Sequence, residues 1–141
     1  MIEPKFRCGT NKANYELADE LNLPIDSITQ DWSCTVGQAS DIAKYISHYN
    51  LTLDEDKKFV LMEIIIQATE TQTDKASFQK YWDKIKVLLE TDFSIHEYTI
   101  FYWSCFDSPN VEDSWQISEN MRELWNKKFD KKISNEETTN R

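Results

Sequence analysis

Along this chain apolar residues recur at helical spacing far more often than they alternate. Ala13, Leu17, Ala18 and Leu21 fall on one face of a first helix. Thr10 or Asn11 stands where a start cap is needed, and Asn22 followed by Leu23-Pro24 ends the element. The stretch 25–36 has no helical stripe and reads as a packed loop folded back on Ile28, Trp32 and Val36. Ile42, Tyr45, Ile46 and Tyr49, spaced i, i+3, i+4, i+7, predict a second helix. Thr52-Leu-Asp-Glu55 reads as a capping box, in which hydroxyl and carboxylate satisfy end amides reciprocally. The body that follows, Phe59 to Ile66, is apolar almost all round, the pattern of a helix covered on several sides.

Phe78, Tyr81, Trp82, Ile85, Leu88 and Leu89 draw the clearest amphipathic stripe, with Lys80, Asp83, Lys84 and Lys86 on the opposite face. Ser94-Ile-His-Glu97 reads as a second capping box, with Phe93 placed to staple against Tyr98. The aromatic and β-branched run Tyr98–Phe106 has the composition of a strand. Capping chemistry argues for helix there, and helix is the reading adopted. Asp107-Ser-Pro-Asn110 is a turn by residue type. Ile117, Met121, Leu124, Trp125 and Phe129 mark a last helix, with Lys127, Lys128, Lys131 and Lys132 near its end, where the helix dipole favours cations. The tail 134–141 has no apolar residue and is expected to be disordered. The expected fold is all-α: one helical domain over 1–133, a bundle of about six helices around a central hydrophobic one.

Composition narrows the function classes. At 141 residues, 40% apolar and 13% aromatic, the chain is long and apolar enough for an autonomous core. Two glycines, Gly9 and Gly37, leave no room for a glycine-rich phosphate cradle or a dinucleotide fingerprint. Sixteen basic against 25 acidic residues give a net charge of −9, which points to a basic protein as partner and away from nucleic acid or an anionic membrane. No secretory signal pattern follows Met1, and the longest nearly apolar run, Phe59 to Ile66, contains Glu63 and is too short to span a bilayer. Cys8, Cys34 and Cys105, odd in number and irregularly spaced, read as reduced thiols, so the expected location is the cytoplasm.

The chemistry on offer is sparse. The chain has two histidines and three cysteines, no Cys-x-x-Cys, and no second histidine four residues after His96; neither a metal nor another cofactor is expected. Cys8, beside Arg7, is the cysteine with an electropositive neighbour. His96, in the first turn of a helix, is expected to be neutral through the dipole. Glu16, Asp19 and Glu20 lie at i, i+3, i+4, where like charges oppose the helix by a few tenths of a kcal/mol and so invite a cationic partner. Residues 1–113 carry 20 acids and 10 bases, while residues 114–141 carry five and six, so the acidic potential belongs to most of the chain. Trp32, in an irregular segment, and Trp115, just before the last helix, read as covering the core from outside; where exposed beside acids, such rings anchor interfaces.

Acidic, aromatic-rich and without a catalytic constellation, the chain resembles the small cytosolic immunity proteins of bacterial toxin systems, including contact-dependent inhibition. The segments Phe6-Arg-Cys-Gly-Thr-Asn-Lys-Ala-Asn14, Gln30-Asp-Trp32 and His96-Glu-Tyr98 are its densest in motif-like residues. The resemblance implies a non-enzymatic protein that binds a cognate toxin, often a cationic nuclease; because folds in that class are diverse, it adds nothing to the all-α expectation. Glu16, Asp19, Glu20, Asp31 and Trp32 are expected to form one partner-binding surface, and Asp54, Glu55 and Asp56 a second. The alternative is a small helical enzyme or ligand-binding domain in which His96 and Glu97 meet a cysteine, Cys8 in particular, or Asp31.

Overall fold

Each amphipathic stripe in the sequence becomes a helix with that stripe turned inward. The computed structural model describes residues 2–27 and 31–139, with side chains as far as Phe129. The fold is all-α. Among the described residues it comprises α1 (Asn11–Leu21), α2 (Trp32–Thr35), α3 (Ile42–Leu51), α4 (Glu55–Glu70), α5 (Lys75–Thr91), α6 (Phe93–Ser104) and α7 (Ser118–Thr139), with short 3-10 turns at Ala39–Asp41 and Val111–Asp113. None of these helices is long and apolar enough to cross a membrane. The chain divides into two compact units, Phe6–His96 and Met1–Lys5 with Glu97–Arg141, and the boundary falls inside α6.

The unit Phe6–His96 is organised by α4. Nine of its residues are buried, from Phe59 to Thr69, on every side of the helix. Around it pack α1, α2, α3 and α5. The predicted face of α1 is the buried one: Ala13, Leu17, Ala18 and Leu21. In α5 the buried residues are Phe78, Trp82, Ile85 and Leu89. Both glycines press against α4. A Cβ on Gly9 would stand 2.7 Å from Val60 Cγ2, and one on Gly37 would stand 2.8 Å from the backbone oxygen of Ile64. Connecting segments can cross this closely because no side chain intervenes.

The helix ends follow local chemistry, with two shifts from the expected caps. Thr10 Oγ1 accepts from Ala13 N at 3.1 Å, and Asn22, in the left-handed region at φ 54°, closes α1. At α4 the cap is Asp54, whose carboxylate accepts from Lys57 N at 2.9 Å, so the helix begins two residues later than the Thr52 box implies. Thr52 instead donates to the His48 carbonyl at 2.7 Å, finishing α3. At α6 the start is earlier: the Asp92 carbonyl accepts from Ile95 N and His96 N, so the helix opens at Phe93 and Ser94 is already inside it. At α4 an aspartate carboxylate caps in place of the threonine hydroxyl; at α6 the backbone carbonyl of Asp92 starts the helix, while its carboxylate is held by Tyr49 and Lys58. Within 25–36, expected to be loop, Trp32–Thr35 makes one helical turn behind Asp31, whose φ is 52°. Ile28 lies outside the described residues.

In the second unit, α6 runs through the aromatic segment as helix, as the capping argument required. It ends at Cys105, in the left-handed region at φ 51°. Arg122 of α7 fastens that end. Its guanidinium donates to the carbonyls of Ser104 and Cys105 at 2.6 Å each and to that of Ser108 at 3.3 Å. A cation on the last carbonyls of a helix is stabilising both as hydrogen bonds and against the dipole. The α7 backbone is helical to Thr139, and the tail expected from Ser134 onward reaches outside the described side chains and ends beyond the described residues.

Ile65→Ala, which empties a fully buried position of α4, is expected to lower unfolding free energy by about 2–5 kcal/mol. Val87→Ala, at a 60% exposed position of α5, should change it by no more than about 0.5 kcal/mol. Urea unfolding of both variants checks this. Equal losses would mean that α4 is not the axis of its unit.

Candidate functional site

The two acidic surfaces expected from sequence meet in the unit Phe6–His96. Packing of α1 on α4 brings Glu16 and Glu20 to the first turn of α4. Lys57 Nζ lies 3.0 Å from Glu16 Oε2 and 2.6 Å from Glu20 Oε2, while the other oxygen of Glu20 is 2.8 Å from His48 Nε2. The Lys57 hydrogen bond, backed by His48, holds the Glu20 carboxyl below the usual carboxylate range against the opposing effect of burial. Asp56 pairs with Arg7 at 3.1 Å. Asp54 is a helix cap that remains exposed, and Asp19 and Glu55 are exposed as well. Two of the three α1 acids therefore share a cation within the fold, while Asp19, Asp54 and Glu55 carry carboxylates exposed to solvent, with no ion pair of this kind among the described residues.

Asp31 and Trp32 belong elsewhere. Trp32 is 4% exposed, and its indole N–H donates to the Pro24 carbonyl at 2.7 Å. This corrects its assignment to a binding surface: the ring is a wall of the core. Asp31 is exposed, but its charge is felt by the Cys34–Glu63 pair. There the thiol donates to Glu63 Oε2 at 3.4 Å. Burial, then the Glu63 charge, pushes the Cys34 thiol up to about 12, and burial raises Glu63 too. A thiol held protonated in this way is a poor nucleophile.

His96 is fully buried, and its hydrogen bonds define its state. Tyr49 donates its hydroxyl proton to Asp92 Oδ2 at 2.7 Å, so His96 Nε2–H must donate to the Tyr49 oxygen, also at 2.7 Å. Lys58 Nζ lies 3.2 Å from the same Asp92 oxygen. His96 Nδ1 is buried with no hydrogen-bond partner. A second proton would have to sit on that orphaned nitrogen. Burial drops the imidazole pKa to about 4; the Asp92 charge opposes this, and Arg7 and Lys58 add to it. The neutral state matches the sequence expectation, but desolvation causes it rather than the helix dipole. Burial alone would raise Asp92, yet the hydrogen bonds from Tyr49 and Lys58 together with the Lys58 charge hold it low. His96 thus bridges elements through Tyr49 and Asp92, and the side chain it meets is a phenol rather than a thiol.

The second unit carries an aromatic groove of about 460 Å3, within the range of ligand pockets. Tyr98, Phe101, Tyr102, Phe106 and Trp115 line it, with the carboxylates of Glu3 and Asp107 and with Cys105 at its edge. The rings form a connected array. Tyr98 and Tyr102 have centroids 6.4 Å apart, Tyr102 and Trp115 5.9 Å, and Trp115 and Trp103 4.4 Å. Tyr102 is 51% and Trp115 39% exposed. Trp115 was expected to cover the core from outside, with an anchoring role only where exposed, and it is exposed here; the roles of Glu3 and Asp107 were not foreseen. The same holds for Leu51 and Leu53, 80% and 91% exposed beside the α4 cap, whose position between two helical patterns was the available signal.

Buried neutral His96 makes unfolding take up a proton between pH 6.5 and about 4, so stability falls as pH is lowered through that window, by up to about 3 kcal/mol. Glu63, raised in the fold, acts in the opposite sense, since its protonated form suits the buried site. The comparison of wild type with His96→Gln cancels Glu63. The gap between their urea-unfolding free energies is expected to narrow from neutral pH to about pH 4.5. A constant gap would mean that His96 is not held neutral. Compared with models of known protein families, with curated proteins and with solved structures, the chain matches none.

Proposed function

We propose that this chain is a non-enzymatic binding protein of the immunity type, which neutralises a cognate bacterial toxin domain, a basic nuclease being the fitting class, by covering it with an acidic face. The observation that carries the reading is the pairing of charge with exposed apolar anchors. Asp54 and Glu55 open α4 directly after Leu51 and Leu53, which stand almost wholly in solvent, in a chain of net charge −9. Asp19 adds charge from α1, next to Glu20. Opposite charge would set the association rate, and burial of the leucines would slow dissociation. Three free cysteines suit the cytoplasm, where such a protein meets its toxin. The tasks found for His96 and Cys34, a bridge between helices and a buried hydrogen bond, are structural ones, which favours binding over catalysis.

The test is association kinetics with the cationic protein that co-purifies with the tagged chain from its native host, once identified and made recombinantly. The rate is expected to fall as salt is raised, and Asp19→Lys with Glu55→Lys should slow it about tenfold at low salt. These exposed positions avoid the Lys57 pairs; Glu55→Lys at the start of α4 costs a few tenths of a kcal/mol against the helix dipole, too little to unfold the chain. A rate indifferent to salt and to both reversals would overturn the reading.

A further inference from the structure

The groove of the second unit is aromatic and acidic together. Tyr98, Tyr102 and Trp115 supply ring faces, and Glu3 and Asp107 supply two carboxylates at the same concavity. Aromatic faces attract cations through their quadrupole, and a planar guanidinium also stacks on them. The unit already contains that contact: the Arg122 guanidinium lies 5.5 Å from the centroid of Phe106. It is tied to three backbone carbonyls, so it serves the end of α6 and is not among the residues that line the groove. Against its single positive charge stand Glu3 and Asp107, leaving the lining net negative. Tyr102 on α6 and Trp115 in the segment before α7 both leave aromatic surface in water, and rings of this type are those that anchor protein interfaces.

We propose that this groove receives an arginine side chain projecting from the basic partner, stacked on Tyr102 and Trp115 and paired with Glu3 and Asp107. The proposal rests on the reading of the chain as a binder of a basic protein, and it names the residue by which that partner is gripped. Arginine fits better than lysine because its flat, weakly hydrated head group keeps hydrogen-bonding edges for the carboxylates while its face lies on a ring.

The experiment is a titration of the isotope-labelled full chain, followed by NMR, at constant low ionic strength. The probes are acetyl-Gly-Arg-Gly-amide, the same peptide with neutral citrulline in place of arginine, and tetramethylammonium chloride. Saturable shifts at the Trp115 indole and the Tyr102 ring are expected with the arginine peptide and not with the citrulline peptide. Glu3→Gln with Asp107→Asn, which keeps the groove's shape, should weaken binding about three- to tenfold. Trp115→Ala should weaken it about tenfold or more. No saturable shift, equal shifts with citrulline, or binding of tetramethylammonium without the peptide would each overturn the proposal; the last would mark a small-cation site. The partner's association kinetics separate the two claims. A partner that binds with salt-dependent kinetics but tolerates all three groove substitutions sinks the groove and leaves the acidic reading standing. Kinetics indifferent to salt and to the Asp19 and Glu55 reversals sink that reading, whatever the peptide does.

Discussion

Burial of α4 on all its faces is the constraint from which the unit Phe6–His96 follows. A helix apolar all round has no side it can show to water, so α1, α2, α3 and α5 must each bring a face to it. That requirement places its polar residues at its ends. Lys57 and Lys58, adjacent in sequence, diverge by the roughly 100° per residue of a helix. Lys57 reaches Glu16 and Glu20 of α1, while Lys58 reaches Asp92 and lies 5.5 Å from the Tyr49 ring centroid. One turn of α4 thus serves two polar clusters because the remainder of the helix can serve none. Glu63 and Gln67, both half-buried, break the apolar body; Glu63 is tolerated because Cys34 donates to it and its own proton affinity is raised.

The consequence for charge is that acidic residues divide into two populations. Glu16, Glu20, Asp56 and Asp92 face cations of their own chain: Asp56 pairs with Arg7, Asp92 with Lys58, and Glu16 and Glu20 share Lys57. Asp19 and Glu55 face solvent at the same region. Exposed ion pairs contribute little to stability, so the internal pairs matter less as sources of energy than as fixers of register between α1 and α4. A net charge of −9 then acts through the remaining carboxylates, at a range set by salt.

What the sequence revealed and what it hid divide along a physical line. The inward faces of α1 and α5 were legible because helical periodicity is local: side chains three and four apart share a face whatever they pack against. The aromatic segment was legible as helix despite strand-like residues, since propensity yields to context. Two helix starts slipped by two residues: at α4 because the Asp54 carboxylate caps where a threonine hydroxyl also could, and at α6 because the backbone carbonyl of Asp92 already begins the helix ahead of Ser94. Trp32 and Trp115 sit in similar irregular surroundings, yet one is a core wall and the other half in solvent. Nothing in their neighbours distinguishes them, for exposure is decided by what the distant chain covers. The Lys57 pairs, the Tyr49–His96 bond and the Arg122 clamp join residues far apart in sequence, and no spacing rule announces them.

The exposed rings of the second unit bear on function through what they do not do. Trp103, Trp125 and Ile100 already fill that unit's interior. Trp115 lies tilted against Trp103, and Tyr102 meets both, but Trp115 and Tyr102 remain 39% and 51% exposed. A smaller side chain at either position would expose less apolar area. The free energy gained by transferring such a ring from water is therefore still available, and on the proposed reading it would be realised when the partner's surface arrives. Glu3 and Asp107, which line the same groove, would on that reading act as a filter. An apolar guest would have to desolvate two carboxylates without return, whereas a cationic one compensates both, so the same groove that attracts by its rings selects by its charge.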